Sequence, residues 1–200
     1  MMESKKAIIV ATIFSFISLI SLSLVNLGTP VIQPISLITI IYKSLSIDSS
    51  DSITYFIRIG IYGTCMSDSS STSGCSHSDI DSDIQLKIGN YPSQSGYLLF
   101  MHPIGLFVSF FLVIISFSIC LNYIRGQDYR RLISNSLISS TIVNLMAIIG
   151  DILIFKYFSD TYGDGTTTFG SGFALVFVSF ICTLFSTFAF YKAGILSHPL

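Results

Sequence analysis

Charge is the scarcest commodity in this chain. Only 10% of its 200 residues are charged, where a soluble domain carries about 25%. The net charge is −1, so the basic patch that nucleic acid requires is missing and nucleic acid is excluded as a partner. Tryptophan is absent, histidine occurs three times and cysteine four times. No Ser/His/Asp arrangement, phosphate-cradling Gly loop or His-Glu metal motif emerges. Catalysis, a bound metal and a cofactor are therefore not expected, and abundant serine does not change that, because abundance is not activation.

What is present is apolar. Hydrophobic residues make up 51% of the chain, 17 of them Phe, and the mean hydropathy is +0.74. Four stretches approach the roughly 20 apolar residues needed to cross a bilayer: Ala7–Leu27, Tyr97–Tyr123, Ile133–Phe155 and Gly172–Tyr191. The first is longer than a signal-peptide core and no A-x-A-like site closes it, so it is expected to remain as an anchor. The reading is one four-span membrane domain over residues 1–200.

Orientation follows from the basic residues. Lys5, Lys6, Arg125, Arg130, Arg131 and Lys192 fall on one side, and Lys43, Arg58, Lys87 and Lys156 on the other. Three of the latter four lie in a long loop, where charge bias counts for less. Both termini are therefore expected in the cytoplasm, with residues 28–96 forming a large outer loop and 124–132 and 156–171 short ones.

The large loop has β character. Thr29–Lys43 and Ile53–Tyr62 are rich in β-branched and aromatic residues, and Ile84–Ile88 alternates with period 2. Met66–Asp83, dominated by Ser, Asp and Gly, is expected to be a solvated connection. Cys65 and Cys75 flank it. In an oxidising compartment a disulfide is the default; a metal site with His77 is the alternative, at a spacing unlike usual zinc patterns.

Small residues recur at helical spacing in every span, as close packing in lipid requires. These are Ala7, Ala11, Ser15 and Ser18; Gly105, Ser109, Ser116 and Cys120; Ser136, Ser140, Asn144, Ala147 and Asp151; and Ser179, Thr183 and Ser186. A carboxylate within a span must face the bundle and find a partner. Asp151 and His102 both lie roughly 8–9 Å inside the outer boundary. A contact between them would either fix helix register or titrate near neutrality.

Four spans, N-in topology and a strand-bearing first outer loop with a Cys pair resemble the claudin-like membrane proteins. Their tryptophan-containing signature is replaced here by Gly60-Ile61-Tyr62-Gly63-Thr64-Cys65, followed by Gly74-Cys75. Within that group the chain is similar to the fungal PalI family of pH-response regulators and its Sur-type relatives. Leu27-Gly28-Thr29-Pro30-Val31-Ile32, Leu98-Leu99-Phe100-Met101-His102-Pro103-Ile104 and Gly150-Asp151-Ile152-Leu153-Ile154-Phe155 carry that likeness. The resemblance implies an all-α four-helix transmembrane bundle with a small β-sheet in the first outer loop. It also implies a non-enzymatic plasma-membrane accessory subunit that helps a seven-span ambient-pH sensor reach or remain at the surface. Other expectations are a structural organiser of membrane microdomains or cell-wall contacts, a homo-oligomer, and a small channel or transporter.

Overall fold

A computed structural model describes residues 2–29, 31–32, 34–45, 52–62, 64–68, 74–76, 99–121, 128–161 and 166–193. The described residues are mostly helical. Helices α1 (Met2–Asn26), α2 (Met101–Cys120), α3 (Asp128–Thr161) and α4 (Ser171–Lys192) are each long and apolar enough to cross a membrane. Strands β1 (Ile38–Leu45), β2 (Ser52–Ile59), β3 (Thr64–Asp68), β4 (Gly74–Ser76) and β5 (Thr166–Phe169) form one antiparallel sheet of order β4-β3-β2-β1-β5.

On each helix one buried stripe advances in alternating steps of three and four residues, with Ser21, Asn26, Ile148, Cys182 and Ala189 buried beside it. The stripe runs Ala11, Ser15, Ser18, Leu22 and Val25 on α1, and His102, Gly105, Ser109, Leu112, Ser116 and Ile119 on α2. On α3 it runs Ile133, Leu137, Ser140, Asn144, Ala147, Asp151, Ile154, Phe158, and on α4 Val176, Ser179, Thr183, Ser186, Phe190. This is the spacing of helices that cross at a shallow angle with interlocking side chains. The opposite faces carry Ile13, Phe16, Phe107, Phe117, Ile138, Ile142, Phe185 and Phe188, each at least half exposed. A water-facing helix would put charge there. Small hydroxyls inside and large hydrocarbon outside is the arrangement lipid demands.

The chain divides into two compact units, residues 1–23, 101–147 and 176–200 in one, and 24–100 and 148–175 in the other. In the first, an apolar layer of Ala11, Leu112, Ile119, Ile133, Leu137 and Phe190 gathers residues from all four helices. In the second, Ile38 and Ile40 of β1 pair with Ile59 and Ile57 of β2, and all four side chains are buried. Period-2 alternation thus gives the sheet one closed apolar face.

Several boundaries differ from those the sequence suggests. The first strand begins at Ile38, not Thr29. Ahead of it, the Thr29 amide instead donates to the Ile35 carbonyl at 2.8 Å and the Ile35 amide to the Ile32 carbonyl at 3.0 Å. The second ends at Ile59. The Ser-rich stretch expected to be a solvated connection supplies most of β3 and all of β4, because pairing of β3 to β2 and of β4 to β3 overrides weak intrinsic propensity. The third span does not end at Phe155: α3 continues to Thr161, with Ile154 and Phe158 buried on the same stripe as Asp151. Its 34 residues run about 51 Å at 1.5 Å per residue, well beyond a hydrocarbon core of about 30 Å. The segment 156–171 is therefore not a simple loop, and its Thr166–Phe169 becomes β5 beside β1. The sheet accordingly draws on two connections, not on the first outer loop alone. The expected strand at 84–88 lies outside the described residues.

Candidate functional site

Two clusters bring together the residues that the sequence singles out, one in each unit.

The first is a seam of hydroxyls and one amide between the helices. Ser18 Oγ lies 2.7 Å from Ser179 Oγ and 3.2 Å from Thr183 Oγ1. Asn144 donates through Nδ2 to Thr183 Oγ1 at 3.3 Å and accepts at Oδ1 from Ser179 Oγ at 3.5 Å. Ser15 Oγ and Ser186 Oγ are 2.8 Å apart, and the Ala11 carbonyl lies 3.1 Å from Ser186 Oγ. Ser109 and Ser140 approach to 3.4 Å, and Thr12 Oγ1 reaches the Ser116 carbonyl at 3.5 Å while also donating to Ile8 O at 2.9 Å. These contacts join α1 to α4, α4 to α3, α3 to α2 and α2 back to α1, so the ring of helices is closed by polar bonds.

Serine suits this task for two reasons. It is small enough for backbones to approach, and its hydroxyl stays satisfied by the carbonyl one turn earlier. Ser15 donates to Ala11 O at 3.0 Å, Ser116 to Leu112 O at 2.7 Å and Thr183 to Ser179 O at 3.0 Å. Such locked hydroxyls are packing groups, not activated nucleophiles, since nucleophilic serine needs an adjacent base.

Most stripe residues named from sequence fall on this seam. Ala7, Ser136 and Cys120 do not: all three are only half-buried, one residue off the three-four register that the buried positions keep or, for Ala7, at the helix end. Ser21 is buried and Thr12 half-buried; both stand one residue off the three-four register, so neither spacing nor composition marks them in a chain that is Ser-rich throughout. Cys182 is a buried free thiol and Cys120 a half-buried one.

The second cluster ties the end of α1 to the sheet. Gly60 stands so close to Thr29 that a Cβ on it would overlap the Thr29 carbonyl oxygen. Tyr62 Oη donates to Asn26 Oδ1 at 3.2 Å, and Thr29 Oγ1 donates to Ile35 O at 3.0 Å. Thus Gly60 meets Thr29, and Tyr62 meets Asn26 just before the Leu27–Ile32 segment, two stretches far apart in sequence. A parallel latch holds α4. The Gly170 amide donates to Leu37 O and the Gly172 amide to Ser36 O, both at 2.8 Å, and Ser171 Oγ donates to Pro34 O at 2.7 Å. Amide groups at a helix start lack intrahelical partners, and here a strand-entry carbonyl supplies one. In the sequence, only the Gly-Ser-Gly run at 170–172 marks this latch. Beside it, Phe169 stacks on Phe155 at 4.0 Å and on Phe173 at 4.2 Å.

His102 is wholly buried in the first turn of α2, and Asp151 is 1% exposed on α3. They belong to different units. Cys65 is buried on β3, and the register sets it directly opposite Cys75 of β4. Gly63 and His77 lie outside the described residues. Among the described residues no group of three or more His, Cys, Asp and Glu stands close enough to hold a metal ion.

Neither protein-family models nor curated proteins include a match to this chain.

Proposed function

We propose that this chain is a non-enzymatic accessory subunit of the plasma membrane, one that associates laterally with a larger membrane protein and supports its placement or stability there. The observation that carries the reading is the division of labour on each helix. Hydroxyls of the inner stripe bond directly to one another at 2.7–3.4 Å in the Ser18–Ser179, Ser15–Ser186 and Ser109–Ser140 pairs, leaving no room between them for a hydrated ion. The outer faces offer largely apolar surface, such as Phe107, Phe117, Ile142 and Phe188, to whatever lies beside them in the membrane. That favours a packing role over conduction, and bonded serines favour it over catalysis. The likeness to PalI proteins makes a seven-span pH sensor the natural partner.

The same reading puts both termini in the cytoplasm, with Lys5, Lys6, Arg125, Arg130, Arg131 and Lys192 inside, and the sheet outside in a claudin-like arrangement. It joins Cys65 to Cys75. Directly opposed residues in an antiparallel pair have Cα atoms about 4.5 or 5.5 Å apart, and both values fall in the range a disulfide spans.

Purification from the native membrane in mild detergent, followed by mass spectrometry, tests the function. The expected result is a seven-span protein recovered near one-to-one, whose surface level falls when this chain is deleted. Recovery with only itself or with abundant surface proteins, and no change in any partner's surface level, would move the assignment to a structural organiser.

A further inference from the structure

Charge is divided very unevenly between the two units. The first holds six of the ten Lys and Arg residues but only two of the eleven acids, Glu3 and Asp128; the second holds the other four basic residues and nine acids. Net charge near zero therefore conceals one unit with a net positive charge and one with a net negative charge.

The cationic residues cluster further within their unit. Ile8 of α1, Ile133 of α3 and Ala193 after α4 belong to, or pack on, the same apolar layer. Lys5 and Arg130 each precede their isoleucine by three residues, about 4.5 Å beyond that layer along the helix axis, and Lys192 adjoins Ala193. Lys6 and Arg131 sit next to them. Four of the five are exposed and Arg130 is half-buried. The two acids of this unit, Glu3 and Asp128, belong to two of the same helices, α1 and α3, so its six basic residues outnumber its acids by four. Lys192 lies against hydrocarbon, its Nζ 5.9 Å from the centre of the Phe188 ring, and Phe188 is itself 60% exposed. A long cationic side chain running along an outward-facing ring is how lysine keeps its stem in lipid and its head at the surface.

From these observations we infer that the Lys5–Lys6, Arg130–Arg131 and Lys192 cluster binds the headgroups of anionic phospholipids, whose acyl chains lie on the exposed apolar faces of the same helices. An amphiphile matches the surface twice over, by charge at the helix ends and by apolarity along the helices; an anionic protein or nucleic acid matches only the first. Polybasic clusters beside membrane spans attract acidic lipids by this mechanism. The inference rests on the membrane-spanning reading and is independent of the accessory role.

The test uses the whole chain in phosphatidylcholine bilayers doped with spin-labelled lipids, and measures the motionally restricted fraction at the protein boundary. Labelled phosphatidylserine should be preferred over labelled phosphatidylcholine by about tenfold at low salt, falling to about twofold in 0.5 M salt. The K5Q/K6Q/R130Q/R131Q/K192Q variant should lose the preference. The charge-keeping K5R/K6R/R130K/R131K/K192R variant and the K43Q/R58Q/K156Q variant should keep it. Equal restriction of both lipids, or a preference that survives neutralisation, overturns the inference while leaving the spanning reading intact. Abolition of the preference by inorganic phosphate at constant ionic strength identifies a free-phosphate site and also overturns it. If no restricted component of either lipid is seen, the spanning reading itself fails.

Discussion

Two glycines should respond in opposite directions to the same added methyl group. At Gly60 a Cβ would overlap the Thr29 carbonyl oxygen and lie 2.8 Å from Thr29 Cβ. Backbone strain plays no part, so space alone decides. To admit the methyl, the turn after α1 and the end of β2 must part by something on the order of an ångström. Adjacent hydrogen bonds, Leu37 N to Ile59 O and Thr29 N to Ile35 O, both 2.8 Å, are the ones that stretch. Overpacking costs about 1–3 kcal/mol and one weakened hydrogen bond about 1 kcal/mol. Gly60→Ala should therefore lose about 2–4 kcal/mol and melt about 5–15 °C lower. At Gly105 the new Cβ meets Val143 Cγ1 at 3.4 Å and Asn144 Oδ1 and Leu22 Cδ1 at 3.7 Å, which is ordinary contact. There the gain in helix propensity, up to about 1 kcal/mol, decides, so Gly105→Ala should be neutral or stabilising. Without tryptophan as a reporter, thermal unfolding in bilayer nanodiscs can be followed by a thiol-reactive dye that gains access to Cys182. A second variant locates the clash: Thr29→Gly should not rescue Gly60→Ala, because the obstacle is a backbone carbonyl. Rescue by Thr29→Gly, or a neutral Gly60→Ala, would refute the reasoning.

Ser18→Ala removes two interhelical hydroxyl contacts and should destabilise the helix assembly by about 0.6–1.7 kcal/mol, read in the same dye assay. Phe169→Ala breaks two stacked contacts and should lose about 1–3 kcal/mol, with the sheet's amides gaining hydrogen exchange before those of the helices. Cys65 and Cys75 should resist maleimide until reductant is added, and reduction should lower stability by about 2–3 kcal/mol, as expected for closure of a loop this short. Labelling of either thiol without reductant would remove the proposed cross-link.

The helices were legible because lipid writes a strong signal. Asn144, Ser140 and Ala147 could be set on one stripe from spacing alone, and their burial follows the same register. What spacing could not reveal was where the stripe stops. Hydropathy falls after Phe155, yet the helix continues, because Phe158 keeps the period and only periodicity, not polarity, marks the end. The strands were harder for a related reason. Ile38, Ile40, Ile57 and Ile59 alternate clearly, but Thr64–Asp68 and Gly74–Ser76 have compositions typical of loops and become strands only by pairing with a neighbour already in place. β5 was invisible as a strand: four residues between helices carry no period, and its role depends on β1, more than 120 residues earlier. Gly60 and Tyr62 stood out in sequence, but their neighbours Asn26 and Thr29 could be recognised only once the chain had folded back.

The hydroxyl seam also bears on how the molecule responds to temperature. When a water-soluble bundle comes apart, apolar surface meets water and the heat capacity rises by about 0.45 cal/K/mol for each Å² uncovered. Separation of these helices within a bilayer moves Leu112, Leu137 and their neighbours from one hydrocarbon setting to another, and uncovers Ser and Thr side chains of which Ser15, Ser116 and Thr183 are already bonded to their own helix. Its heat-capacity change should therefore be close to zero, and its stability should fall almost linearly with temperature, without the cold-side turnover of a water-driven core. Any curvature in the melt of the whole chain then belongs to the sheet, where Ile38, Ile40, Ile57 and Ile59 form a buried apolar face.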